Sequence, residues 1–318
     1  MKYYVGIDLG VTEIKVGVVD KYGRLIRKDS TPTLKERSYE EIIKDAADLV
    51  LRTIDNEDID RKDVKYIGVG SPGIPNNKEG IIVRNYTLNF HNTPIRSEFK
   101  KYINLPIYIE NDANCAALAE SVAGAAEDYN HSVLVKIGTG IGGGIIVNNS
   151  IYSGFNYAGA ELGHMVISMG GEKCTCGRCG CWEAYASGTA LLRQIKDAVQ
   201  KNQDSLIYKN VNGDYSKINE RTLFDASKRG DEVAKEVLSQ YLSYLSEGIA
   251  NLINILQPDV FVIGGEISKE GDALIKPLRE KVYEKVYSKE VAMPEIKTAQ
   301  MGNASVMIGA AMLELYKA

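Results

Sequence analysis

Residues 161–183 carry the densest chemistry in the chain: Glu161-Leu-Gly-His164, then Cys174-Thr-Cys176-Gly-Arg-Cys179-Gly-Cys181-Trp182-Glu183. Four of the five cysteines and one of the three histidines fall in this stretch. Thiolates with an imidazole are the ligand set of a tetrahedral zinc site. Crowded this closely, the cysteines fit a metal site better than a disulfide framework. Four protein ligands would close the coordination shell and make the metal structural. Glu161 and Glu183 bracket the cluster, which is unusual for a plain zinc knuckle. The metal is therefore expected to stiffen a loop that carries a polar binding site. Cys115, in an Ala-rich stretch, reads as a small buried hydrophobe.

A second group of residues sits on glycine-rich turns. Residues 3–9 read as a buried strand that stops at Gly10. The turn Gly10-Val-Thr12 leads to a strand through Val16–Val19, and Asp20–Gly23 to a third strand. The pattern returns as strand Ser132–Ile137, turn Gly138-Thr139-Gly140-Ile-Gly142-Gly-Gly144, strand Ile145–Val147 and turn Asn148-Asn-Ser. In the overlay Asp8 meets Gly138, Gly10 meets Gly140 and Thr12 meets Gly142. Gly138, Gly140 and Gly143 match G-x-G-x-x-G, but that dinucleotide motif needs a helix directly after it. Here a strand follows. A P-loop fails too, because the chain has no Gly-Lys dipeptide. What remains is a hairpin turn whose bare amides approach an anion closely. One such turn alone is ordinary structure. Two related turns, with a third at Gly264-Gly265, argue for phosphate binding. Asp8 at a strand tip can hold Mg²⁺ through water. Thr12 offers a hydroxyl donor, and Lys15 is either a neutralising charge or a solvated strand residue.

These residues need elements to hold them. A length of 318 residues exceeds one ordinary core and suggests two lobes. Apolar residues at 44% and charged residues at 25% allow a sizeable core. The formal charge of −4, with no basic block, gives no reason to expect nucleic acid. No signal-type apolar region follows Met1, and no run of about 18 apolar residues predicts a membrane span. A cytoplasmic protein is expected. Ser38-Tyr-Glu-Glu41 is a capping box opening a helix with Ile42, Ile43, Ala46, Leu49 and Val50 on one face. Strand residues 64–70 end in Ser71-Pro-Gly73, and Pro106–Ile109 ends in Glu110-Asn111-Asp112, before a helix over Ala113–Ala125. Helices are predicted from Ser187 to about Lys201, over 231–257, 270–287 and 304–317, with 202–220 a loop plus a short element. The repeated strand–turn–strand unit argues for a duplicated α/β domain with a cleft between its halves.

In order, Asp8-Leu-Gly-Val-Thr-Glu-Ile-Lys15, Glu110-Asn-Asp-Ala-Asn114, the glycine run 138–144, Glu161-Leu-Gly-His164, the cysteine cluster to Glu183 and Gly264-Gly-Glu-Ile-Ser268 resemble the motifs of the ROK family of sugar kinases. The resemblance spans nearly the whole chain. It implies the duplicated actin/hexokinase-type (ribonuclease H-like) α/β fold, two-lobed, with ATP in the interdomain cleft. ROK repressors carry an N-terminal DNA-binding domain, whereas here the nucleotide-binding strand begins at Tyr3, so the likeness is to the kinase branch and its glucose-phosphorylating members. Residue by residue, it implies Asp112 as the catalytic base. Asn111, Asp112, Glu161, His164 and Glu183 would contact sugar hydroxyls, with backbone groups near Gly73. Asp8, Gly10, Thr12, Lys15, Gly138, Thr139, Gly140, Gly142, Gly264 and Gly265 would form the nucleotide side with Mg²⁺. The family pattern assigns zinc to His164, Cys174, Cys176 and Cys181, leaving Cys179 spare.

A carboxylate in reach of the reacting hydroxyl can take its proton as the phosphoryl group arrives. Read alone, Asp112 is equally the N-cap of the following helix, a role compatible with catalysis. The expected activity is ATP-dependent phosphorylation of a hexose, glucose first, to the 6-phosphate. Fructose, mannose, N-acetylmannosamine or allose are rival acceptors, polyphosphate is a rival donor, and a non-catalytic sugar sensor is a rival class. The smaller lobe is expected over 1–114, joined by helix 304–318, and the larger over 115–303 with zinc loop 164–181. Family analogy adds a homodimer.

Overall fold

The computed structural model describes residues 1–55 and 59–316. The elements of the first part of the chain are β1 (Tyr3–Leu9), β2 (Glu13–Val19), β3 (Leu25–Pro32), α1 (Tyr39–Asp55), β4 (Val64–Ser71), β5 (Ile74–Asn76), β6 (Ile81–Asn85), β7 (Phe90–Thr93), α2 (Ile95–Phe99), β8 (Ile107–Asn111) and α3 (Asp112–Ala123). There follow β9 (Ser132–Ile137), β10 (Ile141–Val147), β11 (Ser150–Ile151), α4 (Glu183–Ala186), α5 (Gly188–Lys201), α6 (Leu206–Asn210), α7 (Glu220–Lys228), α8 (Glu232–Leu256), β12 (Val260–Gly265), α9 (Asp272–Lys285), β13 (Glu295–Thr298) and α10 (Ser305–Met312).

The duplication read from the glycine turns is present in the sheets. One sheet runs β3-β2-β1-β4-β8 and another β11-β10-β9-β12-β13. Counted within each sheet, both have the order third, second, first, fourth, fifth. In the first, β1–β2 and β2–β3 are antiparallel, while β1–β4 and β4–β8 are parallel. A third, antiparallel sheet of β5, β6 and β7 was not foreseen from the sequence. Its strands have only three to five residues, too few to show a period.

The chain divides into two compact units. One contains Met1–Leu134, Gly144–Ala160 and the chain from Gln300 on; the other contains Val135–Gly143 and Glu161–Ala299. In the first unit Val5, Ile7 and Leu9 of β1 are fully buried, and α1 buries the face its periodicity marks. The capping box ahead of α1 is made: Ser38 N–H donates to Glu41 Oε2 at 3.1 Å, and Glu41 N–H to Ser38 Oγ at 3.3 Å. Helix α10 lies hard against β1 and β4. A Cβ on Gly6 or Gly68 would stand 1.7 Å or 1.8 Å from α10 carbonyl oxygens, so only glycine permits that approach. Glu120 of α3, almost wholly buried, accepts backbone N–H bonds from Ala125, Gln300 and Met301 at 2.8–3.1 Å.

The second unit is built around α8. Asp231 caps it by accepting from Ala234 N–H, and Gln257 ends it in the left-handed conformation just before Pro258. Tyr241, Leu245, Ile249 and Leu252 are buried, so the apolar stripe is spent on the unit's own core. Trp182 is fully buried beside α8, its indole N–H donating to Tyr244 O at 2.9 Å. Gly248 leaves room for the indole ring, since a Cβ there would come within 2.1 Å of it. The stretch read as loop plus a short element contains the five-residue α6, and α7 begins at its end. Asn219 and Thr222 form a reciprocal capping box for α7, a start signal that the sequence did contain. Helix α10 ends at Met312, short of the predicted 317, and residue 317 itself lies outside the described residues. Among the described residues no helix is long and apolar enough to cross a membrane.

Candidate active site

In the first unit the candidate residues gather at the C-terminal ends of β1, β4 and β8. Asp8 stands opposite Lys15 in the β1–β2 register, and Lys15 Nζ lies 3.5 Å from Asp8 Oδ2. Lys15 is therefore an ion partner of Asp8 rather than a freely solvated strand residue. The turn between these strands is stapled by buried Thr33: its hydroxyl donates to Gly10 O at 2.7 Å and its N–H to Thr12 O at 3.0 Å. Thr33 belongs to no motif, so its role could not be read before the fold was known.

The β8–α3 junction corrects one expectation. The helix cap is Asn111, not Asp112: Asn111 Oδ1 accepts from Ala113 N–H at 2.8 Å and Asn114 N–H at 3.2 Å. Asp112 is the first helical residue. Asn111 Nδ2 also donates to Gly73 O at 3.0 Å, tying β8 to the turn after β4. Gly73 has φ +93°, and a Cβ there would meet Arg84 O at 2.2 Å. Glu110 is buried behind the junction, where Oε1 accepts from Asn111 N–H at 2.8 Å and Asn114 Nδ2 at 3.0 Å. Burial pushes its carboxyl above the ordinary carboxylate range. Burial also pushes up the Cys115 thiol, in keeping with a small buried hydrophobe.

In the second unit the cysteine stretch folds into a tight loop. Cys174 N–H donates to Arg178 O at 2.8 Å and Gly177 N–H to Cys174 O at 3.0 Å, while Lys173 pairs with Cys179 and Val166 with Cys181. The ligand atoms of His164, Cys174, Cys176 and Cys181 all lie within 4.8 Å of one another. Cys176 and Cys181 sulfurs are 3.6 Å apart, as are Cys174 Sγ and His164 Nδ1. Metal–sulfur bonds of about 2.3 Å imply tetrahedron edges of about 3.7 Å, so the donor set fits one metal ion. Cys179 is exposed and is not in the group. A backbone N–H from Arg178 lowers the Cys176 thiol, whereas burial, with Cys176 beside it, pushes Cys181 up to about 12.

The remaining candidates of this unit converge on one end of β10. Ile141 N–H donates to Glu183 Oε2 at 3.0 Å, and Thr175 Oγ1 donates to Glu183 Oε1 at 3.1 Å. Glu161 precedes and His164 ends a short 3₁₀ turn whose Gly163 and Leu162 pack against Ile141 and Gly143. Gly138 and Thr139 are exposed at the hairpin tip, with Gly140 and Gly142 half-buried beyond them. Gly138 O accepts from Gly188 N–H at the start of α5, at 2.9 Å. Gly265, with φ +101°, crosses close over Ile137 O, which brings the Gly264-Gly265 turn beside the 138–144 turn. The chain after Gly265 lines a cavity of about 620 Å³ with Glu266, Lys269 and Glu270, opposite Asn219, Glu220 and Lys228 of the α7 region. The α7 side of that cavity was missed in the sequence.

The ROK family model matches residues 4–317. The glucokinase of Thermotoga maritima is 35% identical over 97% of this chain and 96% of its own length. The chain belongs to the ROK family. Two solved ROK structures agree with the fold. A glucokinase from Streptomyces griseus, in complex with glucose and AMPPNP, is 29% identical with TM-score 0.81, covering 98% of both chains. The hexokinase from Thermus thermophilus is 32% identical with TM-score 0.79, covering 98% of this chain and 97% of its own. The repeated sheet order is thus the actin/hexokinase-type architecture of ROK proteins, as the sequence implied.

Proposed function

We propose that this ROK protein is a hexose kinase that transfers the γ-phosphoryl group of Mg-ATP to glucose, giving glucose 6-phosphate. The observation that carries the reading is the β8–α3 junction, where Asn111 caps the helix and Asp112 stands at its first position, at the C-terminal end of β8. Asp112 acts as general base. Its carboxylate takes the proton of the attacking hydroxyl as the oxygen bonds to phosphorus and the bond to ADP breaks. Asn111 keeps one amide N–H beyond the bond to Gly73 O, and that donor meets a sugar hydroxyl. Glu161, His164 and Glu183 hold further hydroxyls. The turn at Gly10 and Thr12 and the turn over Gly138, Thr139, Gly140 and Gly142 receive phosphates, and the cavity beside Gly264-Gly265 takes the adenosine. Asp8, screened by Lys15, holds the magnesium through water. When bound, magnesium neutralises charge on the phosphate oxygens.

The metal that fits His164, Cys174, Cys176 and Cys181 is a structural zinc. His164 turns Nδ1 towards Cys174, which leaves Nε2 for the sugar. Four ligands leave no open position, so this zinc orients the loop and takes no part in the transfer. The same reading takes the enzyme to be a cytoplasmic homodimer, the dimer by family analogy, and light scattering of the purified protein tests the dimer.

The test is coupled ADP release from purified protein with Mg-ATP and a hexose panel, beside Asp112→Asn. Sugar-dependent turnover is expected, greatest in kcat/KM for glucose, and reduced by about 10²–10⁴-fold in the variant. No turnover with any hexose, despite measurable sugar binding, would replace the kinase with a sensor. Turnover undiminished in Asp112→Asn would remove Asp112 as base.

A further inference from the structure

The contacts of Glu183 assign a task to a residue that carries no motif chemistry of its own. Glu183 opens α4, and its carboxylate is held from two sides. The Ile141 N–H, on the far side of the glycine hairpin, donates to Oε2 at 3.0 Å. The hydroxyl of Thr175, between two of the clustered cysteines, donates to Oε1 at 3.1 Å. Behind it, Trp182 is locked by complete burial and by its bond to Tyr244 O, so the backbone at 183 has little freedom. Gly140 completes the clamp: a Cβ there would lie 2.1 Å from Glu183 Oε2, within the space the carboxylate fills. Gly140 thus serves the carboxylate's approach as well as any phosphate.

Cys174 Sγ also lies 3.7 Å from Glu183 Oε1. A thiol can donate there, but a metal-bound thiolate has no proton to give and repels the carboxylate. Thr175 is then the side-chain donor that keeps Oε1 in place. Each carboxylate oxygen has a second acceptor direction, so both clamping bonds are compatible with sugar hydroxyls donating to the same group.

We propose that Thr175 is a positioning residue for the sugar, fixing the Glu183 carboxylate between the cysteine loop and the glycine hairpin. This rests on the reading of Glu183 as a sugar contact. A carboxylate that must choose its orientation on binding loses affinity to that ordering, and Thr175 removes the choice beforehand.

The experiment compares Thr175→Val, Thr175→Ser, Glu183→Gln and the double variant Thr175→Val/Glu183→Gln on metal-loaded protein. Readouts are zinc content, glucose dissociation constant from calorimetry or the fluorescence of the single tryptophan, and steady-state kinetics. Thr175→Val is expected to raise both the glucose Kd and KM about tenfold, with the zinc content and the KM for ATP unchanged and kcat within about twofold. Serine restores the parent values. In the Glu183→Gln background the valine change adds little, because both act through one carboxylate. An unchanged glucose Kd in Thr175→Val, alongside a weakened Glu183→Gln, overturns the proposal and leaves Glu183 as a sugar contact. Unchanged affinity in Glu183→Gln overturns both. Loss of zinc in Thr175→Val, or additive effects in the double variant, makes Thr175 structural and also overturns it.

Discussion

Glu110 shows how one buried side chain can set the geometry of its half-buried neighbours. Its carboxylate holds the Asn111 backbone and the Asn114 amide, so the strand-to-helix junction that presents Asn111 and Asp112 is fixed from behind. The cost is desolvation, which raises its carboxyl above the usual 4.5. A raised carboxyl binds its proton more tightly folded than unfolded. Its contribution to stability is therefore fully present below pH 4.5 and falls as pH rises through the folded value. Glu110→Gln keeps an acceptor and removes the titration. The stability of this variant relative to the parent should rise with pH from about 4.5 and then level off, as urea unfolding at a series of pH values can read. A difference that stays flat over that series removes the buried carboxyl as its source.

Among elements, α3 packs directly on α10, and one buried side chain also ties the end of α3 to the segment that leads into α10. Glu120 accepts from Ala125, Gln300 and Met301, which ties the end of α3 to the segment leading into α10. Removing it strands the buried donor of Ala125 and the half-buried donors of Gln300 and Met301, at up to about 1–3 kcal/mol each. Glu120→Ala is expected to destabilise the protein by at least about 3 kcal/mol in urea unfolding, on the scale of a broken buried charge network. A loss below about 1 kcal/mol would show that water reaches those donors. Much of this element-level order was legible beforehand. The capping box at Ser38, the stripe of α8 and the Pro258 stop are local signals, and the structure has them where they were read. The three short strands β5–β7 were not, because such short elements owe their existence to packing more than to their own period, and α7 was missed although its capping box at Asn219 and Thr222 is a local signal.

At the scale of the molecule, the chain uses one sheet order twice and attaches different chemistry to each copy. The first copy carries Asp8 where the second has glycine, and only the second unit carries the cysteine loop. That loop has little apolar content, and its bound metal would do the work of a core. Exhaustive chelation should therefore lower the melting temperature and weaken glucose binding about 10–100-fold, with both restored by added zinc. Calorimetric scans and sugar titrations of the parent and chelated protein check this. An unchanged glucose affinity after verified metal removal would separate the metal from the sugar site.

The sequence by itself determined the residue types, the repeated glycine turns, the long helices and the likeness to ROK proteins, because each of these is written in spacings of a few residues. Only the tertiary structure decided the partners. It gave the helix cap to Asn111 rather than Asp112, set Lys15 on Asp8, left Cys179 outside the cluster, and drew Thr175 and Ile141 onto Glu183. Those choices depend on which backbone amides and hydroxyls arrive within about 3 Å of a carboxylate, and distances of that kind arise only when segments distant in the chain pack together.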